Sequence, residues 1–164
     1  MSRLIATYMG VGYLPLAPGT WGSAAAIPLA WIVHGLFGLP GFVVAALLIT
    51  LVGWWATAKY TESTPSHDPS EVVIDEVAGM FIALMPLSAG LWFAGVNSWT
   101  FSWPGWVGAF VLFRIFDMLK PGPVGWADRR DDAWGVMLDD RIAGAMAAVV
   151  VALAAAISHG ALGW

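Results

Sequence analysis

Charge is absent from three long stretches of this chain. No Asp, Glu, Lys or Arg occurs from Leu4 to Ala58, from Val77 to Phe113, or from Ile142 to Trp164. Every charge after Arg3 falls in two windows, Lys59 to Glu76 and Arg114 to Arg141. A helix needs about 20 apolar residues to cross the hydrocarbon of a bilayer, with short examples near 17. The first silent stretch holds two such segments, Ala24–Gly38 and Phe42–Ala58, divided by Leu39-Pro40-Gly41. The second holds Val77–Val96 and Trp106–Leu119, and the last holds Ile142–Ile157. The pattern predicts an all-α, multi-pass transmembrane bundle of about five spans in one domain, residues 1–164. The first span is short and contains Pro28 and His34, so it also reads as a re-entrant segment.

Composition points the same way. The chain is 59% hydrophobic and 11% charged, whereas soluble domains carry about 25% charged residues. A small core cannot hide that much apolar surface. The eleven tryptophans suit membrane interfaces. With five crossings, Arg3, Lys59, Lys120, Arg129, Arg130 and Arg141 share one side, and the loops near Pro40 and Thr100 carry no basic residue. The positive-inside rule makes the charged side cytoplasmic. A net charge of −4 argues against nucleic acid as a partner, and the lack of cysteine excludes disulfides and thiolate chemistry. No cleavable signal peptide is expected. The oligomeric state is left open, a homo-oligomer included.

Three segments meet on the charged side. Gly10 to Ser23 is rich in glycine and proline. Its glycines let backbone amides approach an anion, and Gly19, Thr20 and Ser23 are candidate phosphate contacts at the start of a helix. The same turn reads equally as a plain interfacial helix start. The second segment runs from His67 to Gly79. Asp68 is a candidate N-cap, Glu71 and Asp75 stand one helical turn apart, and Asp75 and Glu76 open a span. Like charges so placed repel unless a cation lies between them, and clustered hard oxygens suit Mg²⁺ or Ca²⁺. A solvated acidic loop favouring the helix dipole is the competing reading.

The third segment joins Phe113–Pro123 to Asp139–Gly144. Arg114, Asp117 and Lys120 recur every third residue on one helix face, about a turn deeper than the interface at Arg114 and Asp117, where ionisable groups are functional candidates by default. A buried Arg114–Asp117 pair tying helices together is the alternative. Asp139 and Asp140 mark the start of the last span as Asp75 and Glu76 mark theirs. Asp128 to Asp132 reads as a solvated loop, with Arg129 and Arg130 also fit to meet anionic headgroups. Gly144 and Ala148, with Ala143 and Ala147, offer small faces for close helix packing. Carboxylates for a divalent metal plus cations and a glycine turn for an anion describe a phosphate-ester site, and a substrate reached from the membrane is a lipid.

These blocks, Gly12–Ser23, Asp68–Gly79, Phe113–Pro123 and Asp139–Gly144, resemble in order and spacing the bacterial phosphatidylglycerophosphatase A family. The resemblance covers nearly the whole chain. It implies an inner-membrane, Mg²⁺-dependent lipid phosphatase that converts phosphatidylglycerophosphate to phosphatidylglycerol and inorganic phosphate. On this reading Asp75, Asp117, Asp139 and Asp140 are catalytic. The metal candidates are those four with Asp68, Glu71 and Glu76, and Arg114 and Lys120 join the glycine turn around the phosphate. The rivals are a small transporter or channel with an acidic cation site, and a CDP-alcohol phosphotransferase, whose Asp-Gly-rich signature is absent.

Overall fold

The computed structural model describes residues 1–62, 64, 69–130 and 133–162. Among these the regular elements are all helical. They are α1 (Ser2–Ala6), α2 (Pro18–Thr61), α3 (Ile74–Ala83), α4 (Met85–Phe93), α5 (Trp103–Leu119), α6 (Pro123–Asp128) and α7 (Ala133–Leu162). A short 3₁₀ turn, Val11–Tyr13, lies between α1 and α2.

α2 is not one rod. At Gly38 the backbone takes φ 59° and ψ −158°, a region that only glycine enters without strain. Pro40 follows at the start of the second half, where its missing N–H matters least. Neighbours on the two halves show that the helix doubles back. A Cβ added at Gly22 would stand 2.8 Å from Val73 Cβ, and one at Gly53 would stand 3.0 Å from Ile74 Cγ1. Both ends of α2 therefore lie beside the start of α3. The bend lies at the opposite pole, where a Cβ at Gly38 would overlap the Trp92 ring and Trp31 Nε1 donates to Trp99 O at 3.3 Å. His34 packs in this far half, its Nδ1 2.8 Å from Ser88 Oγ.

The all-helical bundle is as expected from the charge pattern, with two of the expected apolar segments in the bent α2, one in α3 with α4, one in α5 and one in α7. Three described helices are long and apolar enough to cross a membrane: Pro18–Thr61, the run Ile74–Phe93, and Met137–Ser158. The span count of five thus exceeds what length and apolarity alone deliver. Two expected spans merge in the bent α2, and α5, with 17 residues, is about 26 Å long at 1.5 Å per residue. The outside of the helices is apolar, with Leu47, Leu51, Val107, Val149 and Leu153 exposed. In water such a surface would aggregate; in lipid it is the required solvent match.

A compact core ties the passes together. Phe42 stacks on Phe81 at 4.9 Å between ring centres, and Trp106, Phe113 and Leu84 are fully buried. The closest crossing joins α3 and α7. A Cβ at Gly79 would stand 2.6 Å from both Asp140 O and a Phe113 ring carbon, and one at Gly144 would overlap Gly79 O. Ala143 and Ala147 are buried beside it. Main chain meets main chain here, the small-residue packing expected of membrane helices. Gly144→Val should therefore separate the helices. Overpacking costs about 1–3 kcal/mol or more, and thermal unfolding in detergent should register it as a clear fall in Tm. An unchanged Tm would show that the contact is loose.

Candidate functional site

The start of α3, the end of α5 and the start of α7 converge at the charged pole. Asp75 and Glu76 stand in the first turn of α3, where the helix dipole favours negative charge. Asp75 Oδ1 accepts the Glu76 N–H at 3.0 Å, and Asp139 Oδ1 accepts the Asp140 N–H at 2.9 Å. Because Gly79 and Gly144 bring α3 and α7 together one turn further on, the two acidic pairs face one another. Asp75, Asp139 and Asp140 are each less than a tenth exposed.

These groups line a cavity of about 370 Å³, together with Gly19, Arg114, Asp117 and Lys120. Oxygens of Asp75, Glu76 and Asp140 lie within 4.8 Å of one another. Glu76 Oε2 and Asp140 Oδ1 are buried with no hydrogen-bond partner. Buried polar atoms are nearly always satisfied, and orphaned carboxylate oxygens are costly. Across the whole lining, six carboxylates stand against only three cations, Arg114, Lys120 and Arg130. Such a surplus would repel an anion, and a hard cation would offset it. The donor set, all carboxylate oxygen, fits Mg²⁺ or Ca²⁺ and does not fit a soft metal.

Arg114 and Asp117 form an ion pair one turn apart on α5, both side chains mostly buried. The anticipated pair therefore forms, but within α5 and not between helices, and it leaves Arg114 Nε buried without an acceptor. Lys120 ends α5 in the left-handed conformation, φ 46° and ψ 51°, a strained state for a side-chain-bearing residue. Its ammonium pairs with Asp128 and, at 3.0 Å, with Asp139. Burial alone would lower the Lys120 pKa, but these two carboxylates outweigh it and hold the group above its ordinary value. Lys120 is a fixed cation throughout the physiological range.

The glycine-rich turn contributes less than its composition promised. Gly19 does line the cavity, and a Cβ there would overlap Glu76 Oε1 and come within 3.2 Å of Arg114 Nη1. Leu16 and Ala17, just before α2, both hold positive φ angles, 62° and 57°. Thr20 and Ser23 lie off the cavity lining; Ser23 is buried and donates its hydroxyl to Gly19 O at 2.7 Å, inside the helix. Glu71 also lies away from the lining. Its Oε1 accepts the Tyr60 hydroxyl at 2.8 Å, because the chain turns between Glu71 and Ile74 and breaks the helical register that would have stacked it under Asp75. Asp68 lies outside the described residues.

Two cavity groups escaped the sequence reading. Asp128 and Arg130 were assigned to a solvated loop, but both line the cavity, Asp128 at the end of α6 and Arg130 just after it. The signal was Pro121-Gly122-Pro123. Gly122 takes a positive φ of 46°, and Pro123 starts α6 so that a new helix folds back rather than extending away.

Known proteins resemble this chain along most of its length. The family model described as Phosphatidylglycerophosphatase A matches residues 4–155. A Haemophilus influenzae protein named phosphatidylglycerophosphatase A is 36% identical over 150 residues, covering 91% of this chain and 85% of its own length. An Escherichia coli protein of the same name is 35% identical over 151 residues, covering 91% and 80%. A Bacteroides thetaiotaomicron protein provisionally described as a phosphatidylinositol-3-phosphatase is 37% identical over 158 residues, covering 92% and 91%. No solved structure matches.

Proposed function

We propose, since the chain belongs to the phosphatidylglycerophosphatase A family, that this membrane phosphatase removes the terminal phosphate of phosphatidylglycerophosphate, leaving phosphatidylglycerol and inorganic phosphate. The observation that carries the reading is the trio Asp75, Glu76 and Asp140, with two orphaned buried oxygens, set beside Arg114. Asp75, Glu76 and Asp140 would hold Mg²⁺, with Asp117 and Asp139 beside them. When bound, the ion supplies Lewis-acid stabilisation of phosphoryl oxygens and acidifies a water. The chain's own groups do the rest. Arg114 turns its unpaired Nε toward the developing charge and grips phosphoryl oxygens in a fork. Lys120, held protonated by Asp128 and Asp139, balances the second charge of the monoester. A cavity carboxylate, Asp117 or Asp139, takes the proton of a water that attacks phosphorus and returns it to the glycerol oxygen as its bond to phosphorus breaks; alternatively Asp117, Asp139 or Asp140 attacks phosphorus with the same loss of the alcohol, and water then hydrolyses the acyl phosphate to inorganic phosphate.

A transporter would need its acids at mid-depth, whereas here they gather at one pole of the bundle. The basic residues share that pole, which supports a cytoplasmic site in a bacterial inner membrane. A single cysteine at Ser70 should react with an impermeant maleimide only after the cells are opened; labelling of intact cells would reverse the orientation. The activity is tested by phosphate release in mixed micelles with Mg²⁺. Phosphatidylglycerophosphate should exceed phosphatidylinositol 3-phosphate in kcat/KM by at least about tenfold, a difference of about 1.4 kcal/mol in transition-state binding. The opposite order would assign the substrate class of the Bacteroides relative.

A further inference from the structure

Arg141 belongs to the Asp139–Gly144 block, yet it takes no part in the cavity. It reaches instead toward the second half of α2. Its Nη2 donates to Thr50 O at 3.4 Å, and its guanidinium carbon lies 5.5 Å from the centre of the Trp134 ring. Trp134 packs on Trp54 at 5.1 Å between ring centres. Thr50 and Trp54 are one turn apart on one helix face, so the arginine and both indoles form a single patch where α2 meets α7.

Two donors in this patch have no acceptor: Arg141 Nε and Trp54 Nε1, both buried. The Thr50 carbonyl is a long contact and carries no charge. Among the described residues no carboxylate forms an ion pair with Arg141. A guanidinium without a counter-charge in the apolar helix Met137–Ser158 is costly. Trp134 is 46% exposed, so the patch reaches the protein surface at this ring.

We propose that this patch is a second anion site, separate from the cavity, which holds the phosphodiester of a bilayer phospholipid. One negative charge matches one guanidinium, which can fork two phosphate oxygens, and the indole N–H offers a further donor. The indole rings suit the glycerol level of a bilayer. Arg141 follows Asp140 directly, so the site sits at the same depth as the charged pole, where lipid phosphates lie. A phosphodiester has no terminal phosphate to lose, so the site retains its lipid and does no chemistry on it. The bound lipid bridges α2 and α7.

Native mass spectrometry of the full chain, released from mild detergent and titrated with dioleoyl phosphatidylglycerol, tests this. The wild type should retain one lipid that Arg141→Gln loses by about tenfold or more, the effect of one charge-assisted bond, and that Trp54→Phe weakens about threefold. Asp140→Asn should leave this lipid in place, because it alters the cavity only. Dioleoylglycerol, which lacks the phosphate, should not bind, and millimolar inorganic phosphate should not displace the lipid. Should Arg141→Gln fail to fold, Trp54→Phe keeps the ring packing and decides alone. Equal retention by the folded variants, equal binding of dioleoylglycerol, loss of the lipid in Asp140→Asn, or displacement by free phosphate would each overturn the assignment.

Discussion

Asp140→Asn is expected to lower turnover on phosphatidylglycerophosphate by about 10³-fold or more, and chelation of divalent ions should do the same to the wild type. A Lewis-acid ion is worth several kcal/mol in a phosphoryl-transfer transition state, and each 1.36 kcal/mol is tenfold in rate. Asp140 is the critical ligand candidate because of what its neighbours already hold. Asp139 is engaged by Lys120, whereas Asp140 Oδ1 is buried with nothing to accept from. Asparagine keeps the shape and removes the charge, so folding should survive. Phosphate release with a Mg²⁺ titration reads the effect: the variant should show no Mg²⁺-dependent rate at concentrations that saturate the wild type. Glu71→Gln serves as the control, since Glu71 bonds Tyr60 and stands off the cavity; its rate should stay within about threefold, the effect of a neutral hydrogen bond. Full activity in Asp140→Asn would remove this carboxylate from the site.

Arg114→Ala should lower kcat by about 10²–10³, the usual loss when one preorganised donor to developing charge is removed. The Michaelis constant should change far less, because the contact strengthens only as charge moves. The ion pair with Asp117 complicates a simple deletion. Removing the arginine strands a mostly buried carboxylate, so stability falls as well. Arg114→Ala combined with Asp117→Asn removes the stranded charge and should recover Tm without recovering rate. Arg114→Lys should restore rate only partly, since a point charge cannot reproduce the fork. If the double variant regained near-normal turnover, the arginine would be a structural tie, and the phosphate would be held by other groups.

Much of this architecture was legible because a membrane protein writes its topology in charge. The silence from Leu4 to Ala58 and the pole-wise clustering of Asp75, Glu76, Arg114, Asp139 and Asp140 follow from the cost of placing ions in hydrocarbon, a rule that acts locally along the chain. Gly144 was legible for the same reason, since small residues mark close helix approach. What escaped depends on loop geometry. The stagger of Glu71 against Asp75 presumed a helix from Pro69, whereas the helix begins at Ile74. Ser23 looked like a phosphate donor, but a serine one turn into a helix can satisfy itself on the carbonyl four residues back, as it does on Gly19. Asp128 and Arg130 looked solvated because nothing in their own spacing records that the chain after α5 brings them to the cavity. Membrane crossing by α5 rests on 17 residues, too few for length alone to decide.

The contact between Gly79 and Gly144 fixes how the site responds to its surroundings. Because no side chain stands between α3 and α7 there, the gap across the acidic pairs is set by the thickness of two backbones. Rotamer changes move the individual carboxylates but leave this backbone contact in place. Mismatch with the hydrocarbon tilts helices, and these two, locked one turn from their acids, must tilt as a single lever. The backbones that carry the two acidic pairs then move together with respect to the lipid phosphates, so membrane thickness would adjust how easily the substrate headgroup reaches the cavity.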